Sequence, residues 1–551
     1  MALLDDSKPD DPRSQGKRGT YRAGFLFGTL SFFAVTALGL ISTVVTARLY
    51  GVRIIGMFAL VSVPVAVLWA LSSVKEQQAL IREITPLPPR HPRVTQLFAV
   101  VFSFSAVLTV FVALLVAVAC WFVFPGPLNA PALLAPALVG IAGRAVIGNT
   151  GWNIDSVLSA FVAGRQIFWV RLHEVMSFLV LAMVMGIVWR SVWGLVLATI
   201  GSYLTSLVHR IIVVRPFVRV RLSWAEYRLG LQVLPELLRF GLKATPGQIA
   251  QGISQQIGIW TLGIVAPVAL VGAYSRAQTI PNRIQQASMR ITEVLYPTLI
   301  GRHTEGDGHG FDRALIDSIR YETVGMLLIA ATIGGAAHSI LSVFGPGFNR
   351  ATWALALVML YPALASVTAT QTQALWATDR PGRTSVIAIV RLIVTVVLLI
   401  VLTPKVNILG PAIALVAGYV AVVVLQGVAL RPFLTRPLRA TWPLRERGVL
   451  LAAYVAGFAA TNRVENAFSS SLPFLPIALL AGLVAYVALF VAGGAINERD
   501  RRRLGDGIKK ARVWRERRGQ SAETAGEYPR TDAAIRPNVA KPAPELDAVP
   551  E

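Results

Sequence analysis

Residues 271–297, VGAYSRAQTIPNRIQQASMRITEVLYP, set Arg276, Arg283 and Arg290 seven residues apart inside a long, mostly apolar stretch. Read as a helix, steps of seven keep the three on one face, about 21 Å from first to last at 1.5 Å per residue. Three positions after each arginine come Thr279, Gln286 and Glu293, so the whole stripe is polar. An arginine at bilayer depth costs roughly 3 kcal/mol on insertion scales, so those found there face an aqueous or polar interior. A cationic line among membrane spans predicts that something anionic passes along it. The other reading of this stretch is an amphipathic helix lying on the membrane surface.

The remainder of the chain favours the membrane interior. Of 551 residues, 54% are hydrophobic and 15% charged, whereas soluble domains carry about 25% charged residues. The mean hydropathy is +0.60. Apolar stretches of about 20 residues recur, each long enough to cross a ~30 Å hydrocarbon core. The expected fold class is therefore all-α integral membrane, with about fourteen transmembrane helices. They are placed near 22–47, 54–74, 94–124, 132–162, 172–189, 192–214, 240–265, 269–299, 321–343, 352–377, 384–403, 408–430, 447–462 and 473–496. The N-terminus, MALLDDSKPDDPRSQGKRG, precedes an apolar run too long for a cleavable signal. The one cysteine, Cys120, excludes a disulfide framework, a cysteine metal cluster and a Cys-based redox site.

The net charge of +23 is concentrated in alternate connections. Segments 75–93, 210–243 and 431–447 are rich in arginine, whereas FPGPLNAP at 124–131 and VAPVAL at 265–270 carry almost no charge. By the positive-inside rule the basic connections and both termini are cytoplasmic. Removing a span at 269–299 would invert everything downstream, so parity favours a true span there.

The chain divides into a cytoplasmic N-terminal segment (1–21), a six-span N-lobe (22–214), a cytoplasmic linker (215–239) and a six-span C-lobe (240–430). Spans thirteen and fourteen (431–496) and a basic cytoplasmic tail (497–551) follow. The tail cannot bury a core and is expected to be disordered. Its basic part suits anionic lipid headgroups, and no nucleic-acid partner is expected.

Several local patterns carry a family resemblance, in order along about residues 20–430. They are TARLYGVRIIGMFALVSV (46–63), QQALIRE (77–83), VGAYSRAQTI (271–280), VLYPTLIGR (294–302), VFGPGFNRA (343–351) and LTPKVNILGPAIALVAGY (402–419). Together they resemble the Wzx-type polysaccharide flippases of the superfamily that also holds MATE exporters and MurJ-type lipid II flippases. Two positions depart from the pattern. Gly51 is followed by Val52 and Arg53 where an acidic residue is usual, and Asn407 stands where a glycine is common.

The resemblance implies a MATE-like bundle of two lobes that open alternately to each side. It implies an undecaprenyl-diphosphate-linked oligosaccharide as substrate, with a polysaccharide polymerase and glycosyltransferases as partners. It also implies that spans thirteen and fourteen help form a groove for the lipid tail.

For such a substrate, Arg276, Arg283 and Arg290 suit diphosphate oxygens through planar, bidentate hydrogen bonds. Thr279 and Gln286 share their stripe. The alternatives are that Arg276 and Arg290 snorkel to the interfaces and that Glu293 pairs locally with Arg290. Gln248, Gln251 and Gln255 lie on one face of span seven and suit sugar hydroxyls, or else hydrogen bonds between helices. Pro246 and Gly247 suggest a bend in that span. Arg144, Asn149, Asn153 and Asp155 form a polar patch in span four, with Arg144 and Asp155 eleven apart and so on nearly one helical face, facing the substrate or serving a cluster within the lobe. Arg391 is deep, with its role open.

No paired histidine spacing, phosphate loop or nucleophile elbow is present, so no enzyme activity, metal or other cofactor is expected. Competing functions are an ion-coupled exporter of cationic drugs, which needs intramembrane carboxylates, and a membrane polysaccharide synthase component, which needs large catalytic loops.

Overall fold

The computed structural model describes residues 21–72, 76–218, 224–235, 245–435, 442–468 and 472–495. The N-terminal segment, much of the 215–239 linker and the tail beyond 495 lie outside the described residues, as does the expectation that the tail is disordered.

The helices are α1 (Tyr21–Leu71), α2 (Glu76–Ile84), α3 (Pro92–Val123), α4 (Leu134–Gly143), α5 (Asn149–Ala160), α6 (Gly164–Val188), α7 (Val192–Val214), α8 (Trp224–Leu231) and α9 (Thr245–Val265). They continue with α10 (Val268–Thr304), α11 (Gly308–Gly335), α12 (Ala337–Ser342), α13 (Thr352–Val358), α14 (Tyr361–Ala377), α15 (Pro381–Val406), α16 (Leu409–Leu430), α17 (Leu444–Ala467) and α18 (Leu475–Ala492).

Nine stretches among the described residues are long and apolar enough to cross a membrane. The first bends inside α1 and holds two spans. Four more long helices, α9, α10, α11 and α17, are too polar to pass the same test. Together these make up the expected all-α membrane bundle.

The helix boundaries differ from the sequence expectation in several places, among them span nine, which begins at Gly308, and span ten, which is split between Val358 and Tyr361. Spans one and two are two helical segments of α1 joined without an intervening loop, and the chain turns between them at Gly51, which takes the non-helical φ 78° and ψ 166°. Only glycine adopts that backbone without strain, which accounts for its place in the turn motif. Span four is interrupted by a π turn over Arg144–Gly148 between α4 and α5. Span five begins at Gly164 rather than near 172, and α6 carries Arg165 and Arg171 in its first two turns. The linker contains α8, packed against α3. Asn407, where the resemblance expects glycine, adopts φ 47° and ψ −120°, outside the left-handed helical region and in backbone that glycine takes most readily.

Within the first half, α1 packs on α3, α4, α6 and α7. Within the second, α14 packs on α10, α11 and α16, and α15 packs on α9 and α16. The halves meet where α1 touches α9 and α10, and the α17–α18 hairpin packs on α11.

The cores show how the two halves are joined. At the end away from the basic connections, one apolar core runs through both, including Tyr50, Phe124, Tyr274 and Phe348. Toward the basic connections the core divides. One part, around Leu80, Ile84, Phe161 and Phe217, belongs to the first half. Another, around Leu299, Phe311, Leu375 and Leu430, belongs to the second. The lobes therefore share one core at one end and keep separate cores at the other.

Candidate translocation path

The shared end is closed by backbone contact. A Cβ at Gly56 would lie 2.0 Å from the Val268 carbonyl oxygen, and one at Gly272 would lie 2.0 Å from that of Val52. Two helices approach this closely only where both present glycine. Arg48 adds a bond across the halves, its Nε donating to the Val343 carbonyl at 2.7 Å. Farther along, the Trp260 indole donates to the Leu60 carbonyl at 3.1 Å, which ties α9 to the second segment of α1.

The arginine stripe runs from this seal toward the basic end. α10 is helical across residues 268–304, so Arg276, Arg283 and Arg290 share a face. Arg283 lies eleven residues, about 16 Å of helix, beyond Gly272. Its guanidinium crosses to the first half, where a Cβ on Gly39 of α1 would sit 3.3 Å from Nη2. The absent side chain at Gly39 makes room for that cation. Arg283 Nη1 also reaches Gln286 Oε1, at 3.5 Å.

Arg276 Nε is buried with no hydrogen-bond partner. No carboxylate among the described residues lies within ion-pair distance of Arg276 or Arg283. Thr279 donates to the Ser275 carbonyl of its own helix. The side chains of Arg290 and Glu293 lie outside the described residues. Asn282 and Gln286 on α10 and Gln251 on α9 are exposed, although they lie well inside long helices. Gln248 is half-buried. The arrangement offers unpaired guanidinium groups and accessible amides beside the junction of the halves, which suits an anionic, hydroxyl-bearing ligand.

The other predicted residues are placed differently. Gln255 turns into the second half, its amide near the Tyr361 and Tyr419 hydroxyls at 3.4 and 3.5 Å. Arg391 joins that cluster, stacked 4.5 Å from the Tyr419 ring and donating to the Gln251 carbonyl. Gly247 serves close packing, since a Cβ there would lie 2.9 Å from Ser385 Cα on α15.

In the first half, Asn149 accepts from Ser105 at 3.0 Å, and buried Asn153 bonds back to the Asn149 carbonyl. Asp155 is held by Arg210 at 2.8 Å and Arg171 at 3.3 Å, and Arg210 also pairs with Glu174 at 2.8 Å. Arg144 is not among these groups. It stacks 3.8 Å from the Trp69 ring and 5.2 Å from the Tyr203 ring. The π turn adds to the helical repeat between Arg144 and Asp155, so their spacing of eleven no longer aligns them.

Sequence reasoning missed Gly39, Glu174 and Arg210 as members of these groups, and also Glu322. Glu322, 5% exposed, accepts from the Thr370 hydroxyl at 2.9 Å, and its other oxygen is buried without a partner. Arg210 reads in sequence as the start of a basic connection, yet it is buried within α7.

Asp155→Asn is expected to destabilise the protein by about 3 kcal/mol. That is the low end for breaking a buried pair, because Glu174 still faces Arg210. A lowered melting temperature of the purified protein, with activity kept per folded molecule, is the expected result. A stable variant without activity would instead place Asp155 in the path.

A family model described as "Polysaccharide biosynthesis protein" matches residues 45–320. No curated protein sequence matches the chain. Among solved structures, the lipid II flippase MurJ in an inward closed conformation aligns with TM-score 0.66 at 12% identity, covering 84% of this chain and 98% of MurJ. A multidrug resistance MATE family transporter of the MOP superfamily, inward-facing, aligns with TM-score 0.55 at 15% identity, covering 74% and 94%. A MOP superfamily transporter from Pyrococcus furiosus, whose binding pocket is described as having reverse polarity, aligns with TM-score 0.52 at 15% identity, covering 77% and 99%. At these identities the likeness is one of fold.

Proposed function

The chain belongs to the polysaccharide biosynthesis protein family, and on that premise we propose that it is a flippase for an undecaprenyl-diphosphate-linked oligosaccharide. It moves this substrate from the inner to the outer leaflet by alternating access. The observation that carries this reading is the pair Arg276 and Arg283, which lie on one helical face without a carboxylate partner. A diphosphate supplies the missing anion, and the accessible amides of Gln251, Asn282 and Gln286 serve the sugar.

In this account the basic connections face the cytoplasm, where the lobes keep separate cores, and the Gly56–Gly272 seal faces outward. The two lobes are residues 22–214 and 240–430. Arg290 continues the stripe toward the cytoplasm, and Gln248 and Thr279 flank it. The polymerase and glycosyltransferases of the same glycan act after and before it.

Export of cationic drugs is disfavoured by charge. Arg276 and Arg283 would repel a cation, and Asp155 is already held by Arg210 and Arg171.

The test is deletion of the gene in its own host. Surface glycan is expected to disappear while the lipid-linked oligosaccharide accumulates in the inner leaflet. Normal display with no accumulation would refute the proposal.

A further inference from the structure

A cavity of about 390 Å³ lies within the first half, away from the arginine stripe. One wall is the second segment of α1, which contributes Phe58, Val65 and Trp69 at helical spacing. The opposite wall is α7, with Val196, Ile200 and Tyr203 at the same spacing. α4 and the π turn close it with Gly140 and Arg144. The volume falls in the ~300–1,000 Å³ range of small-ligand sites.

The polarity of this slot is one-sided. Two hydroxyls in its wall are engaged by their own helices: Ser62 donates to the Phe58 carbonyl at 2.7 Å and Thr199 to that of Leu195 at 2.8 Å. The remaining polar groups are the Arg144 guanidinium and the Tyr203 hydroxyl, which bond to each other and leave the other guanidinium donors for a ligand. No carboxylate among the described residues lies within ion-pair distance of Arg144.

The cation is held in a specific pose. Its side chain lies along its own helix over Gly148, where a Cβ would come within 2.6 Å of Nη1. Trp69 stacks on it, and Trp152 braces Trp69 edge-on, their rings 3.9 Å apart. π turns occur frequently at functional sites, and this one presents an arginine with no carboxylate within ion-pair distance among the described residues.

A sugar would find too few free hydrogen-bonding groups here. An anion with an apolar body would be satisfied at both ends. Both α1 and α7 run toward the basic connections through Trp69 and Tyr203, so the cationic end of the slot is the end nearer that surface. A lipid of the leaflet on that side would lie with its head toward the same surface.

We propose that this slot binds one chain of an amphiphile with a phosphate head, the phosphate on Arg144 and the chain between α1 and α7. The source is either the polyprenyl phosphate carrier or an anionic membrane phospholipid. The site does not depend on the translocation path, since it is read by binding without transport.

The experiment uses the purified full chain in nanodiscs of neutral phosphatidylcholine, with a polyprenyl monophosphate carrying a photoreactive group in its chain. Label is expected on peptides containing residues 58–69 and 196–203. Arg144→Gln should reduce it roughly tenfold or more, as loss of a charged hydrogen bond does, and Arg144→Lys should retain part of it. Ile200→Trp, which fills the slot without touching the charge, should also abolish it and serves as the decisive variant if Arg144→Gln does not fold.

Competition identifies the source. Displacement by polyprenyl phosphate alone supports the carrier, and equal displacement by phosphatidylglycerol supports a membrane phospholipid. Label confined to other helices, label unchanged by Ile200→Trp, or equal competition by the uncharged polyprenol would overturn the proposal.

Discussion

Arg283→Ala is expected to abolish glycan display while the protein is still made and inserted at near-normal level. The side chain makes one long contact with Gln286 and no ion pair, so its removal breaks little that holds the fold. It does remove a desolvated donor from the path. Loss of one hydrogen-bonded charge contact costs about 1.5–3 kcal/mol, and a diphosphate that takes two parallel bonds would lose more. Arg283→Lys should rescue in part, since an ammonium keeps the charge but not the planar fork. Arg283→Gln should fail as alanine does. Surface glycan normalised to membrane protein reads the series. Absent protein in all three variants would mark a structural arginine, and full display by a stable Arg283→Ala would remove it from the mechanism. Gly39→Val offers a matched test from the opposite lobe, because its side chain would enter the space beside the guanidinium.

Gly272→Val should prevent the end sealed by Gly56 and Gly272 from closing. A Cβ there would meet the Val52 carbonyl at 2.0 Å, and backbone cannot move aside as a side chain can. Ordinary overpacking costs about 1–3 kcal/mol, and a backbone clash at this distance should reach the upper part of that range or exceed it. The closed arrangement would then be depopulated by roughly a hundredfold. Spin labels at Arg53 and Arg350, exposed residues near the seal on opposite halves, report the distance. The lone native thiol, Cys120, is buried and should not interfere. The short-distance population is expected to vanish along with transport. An unchanged distance distribution and normal transport would show that the Gly56–Gly272 contact is not the gate.

The membrane fold was legible because hydropathy and charge alternate with the same period as the spans. The stripe was legible for a related reason: Arg276, Arg283 and Arg290 belong to one unbroken helix, where spacing maps directly onto direction. Asp155 was not, because its partner Arg210 is 55 residues away and hidden at the start of a run that reads as a loop. Spacing also failed between Arg144 and Asp155, where the π turn changes the repeat. Gly39 carries no chemistry of its own, so nothing in its local sequence marks it as the place where Arg283 crosses between lobes. Gly51 shows the converse, since the turn motif singled out the glycine and the structure supplies the positive φ that requires it.

The most direct measurement is translocation itself. Purified protein is reconstituted into liposomes with a fluorescent undecaprenyl-diphosphate oligosaccharide, and the label reachable by an external quencher is followed over time. The wild type is expected to move the lipid-linked glycan between leaflets, and Arg283→Ala to leave it at the rate of protein-free liposomes. Wild-type protein that leaves the glycan lipid in place, in either orientation and with or without an ion gradient, would contradict the account.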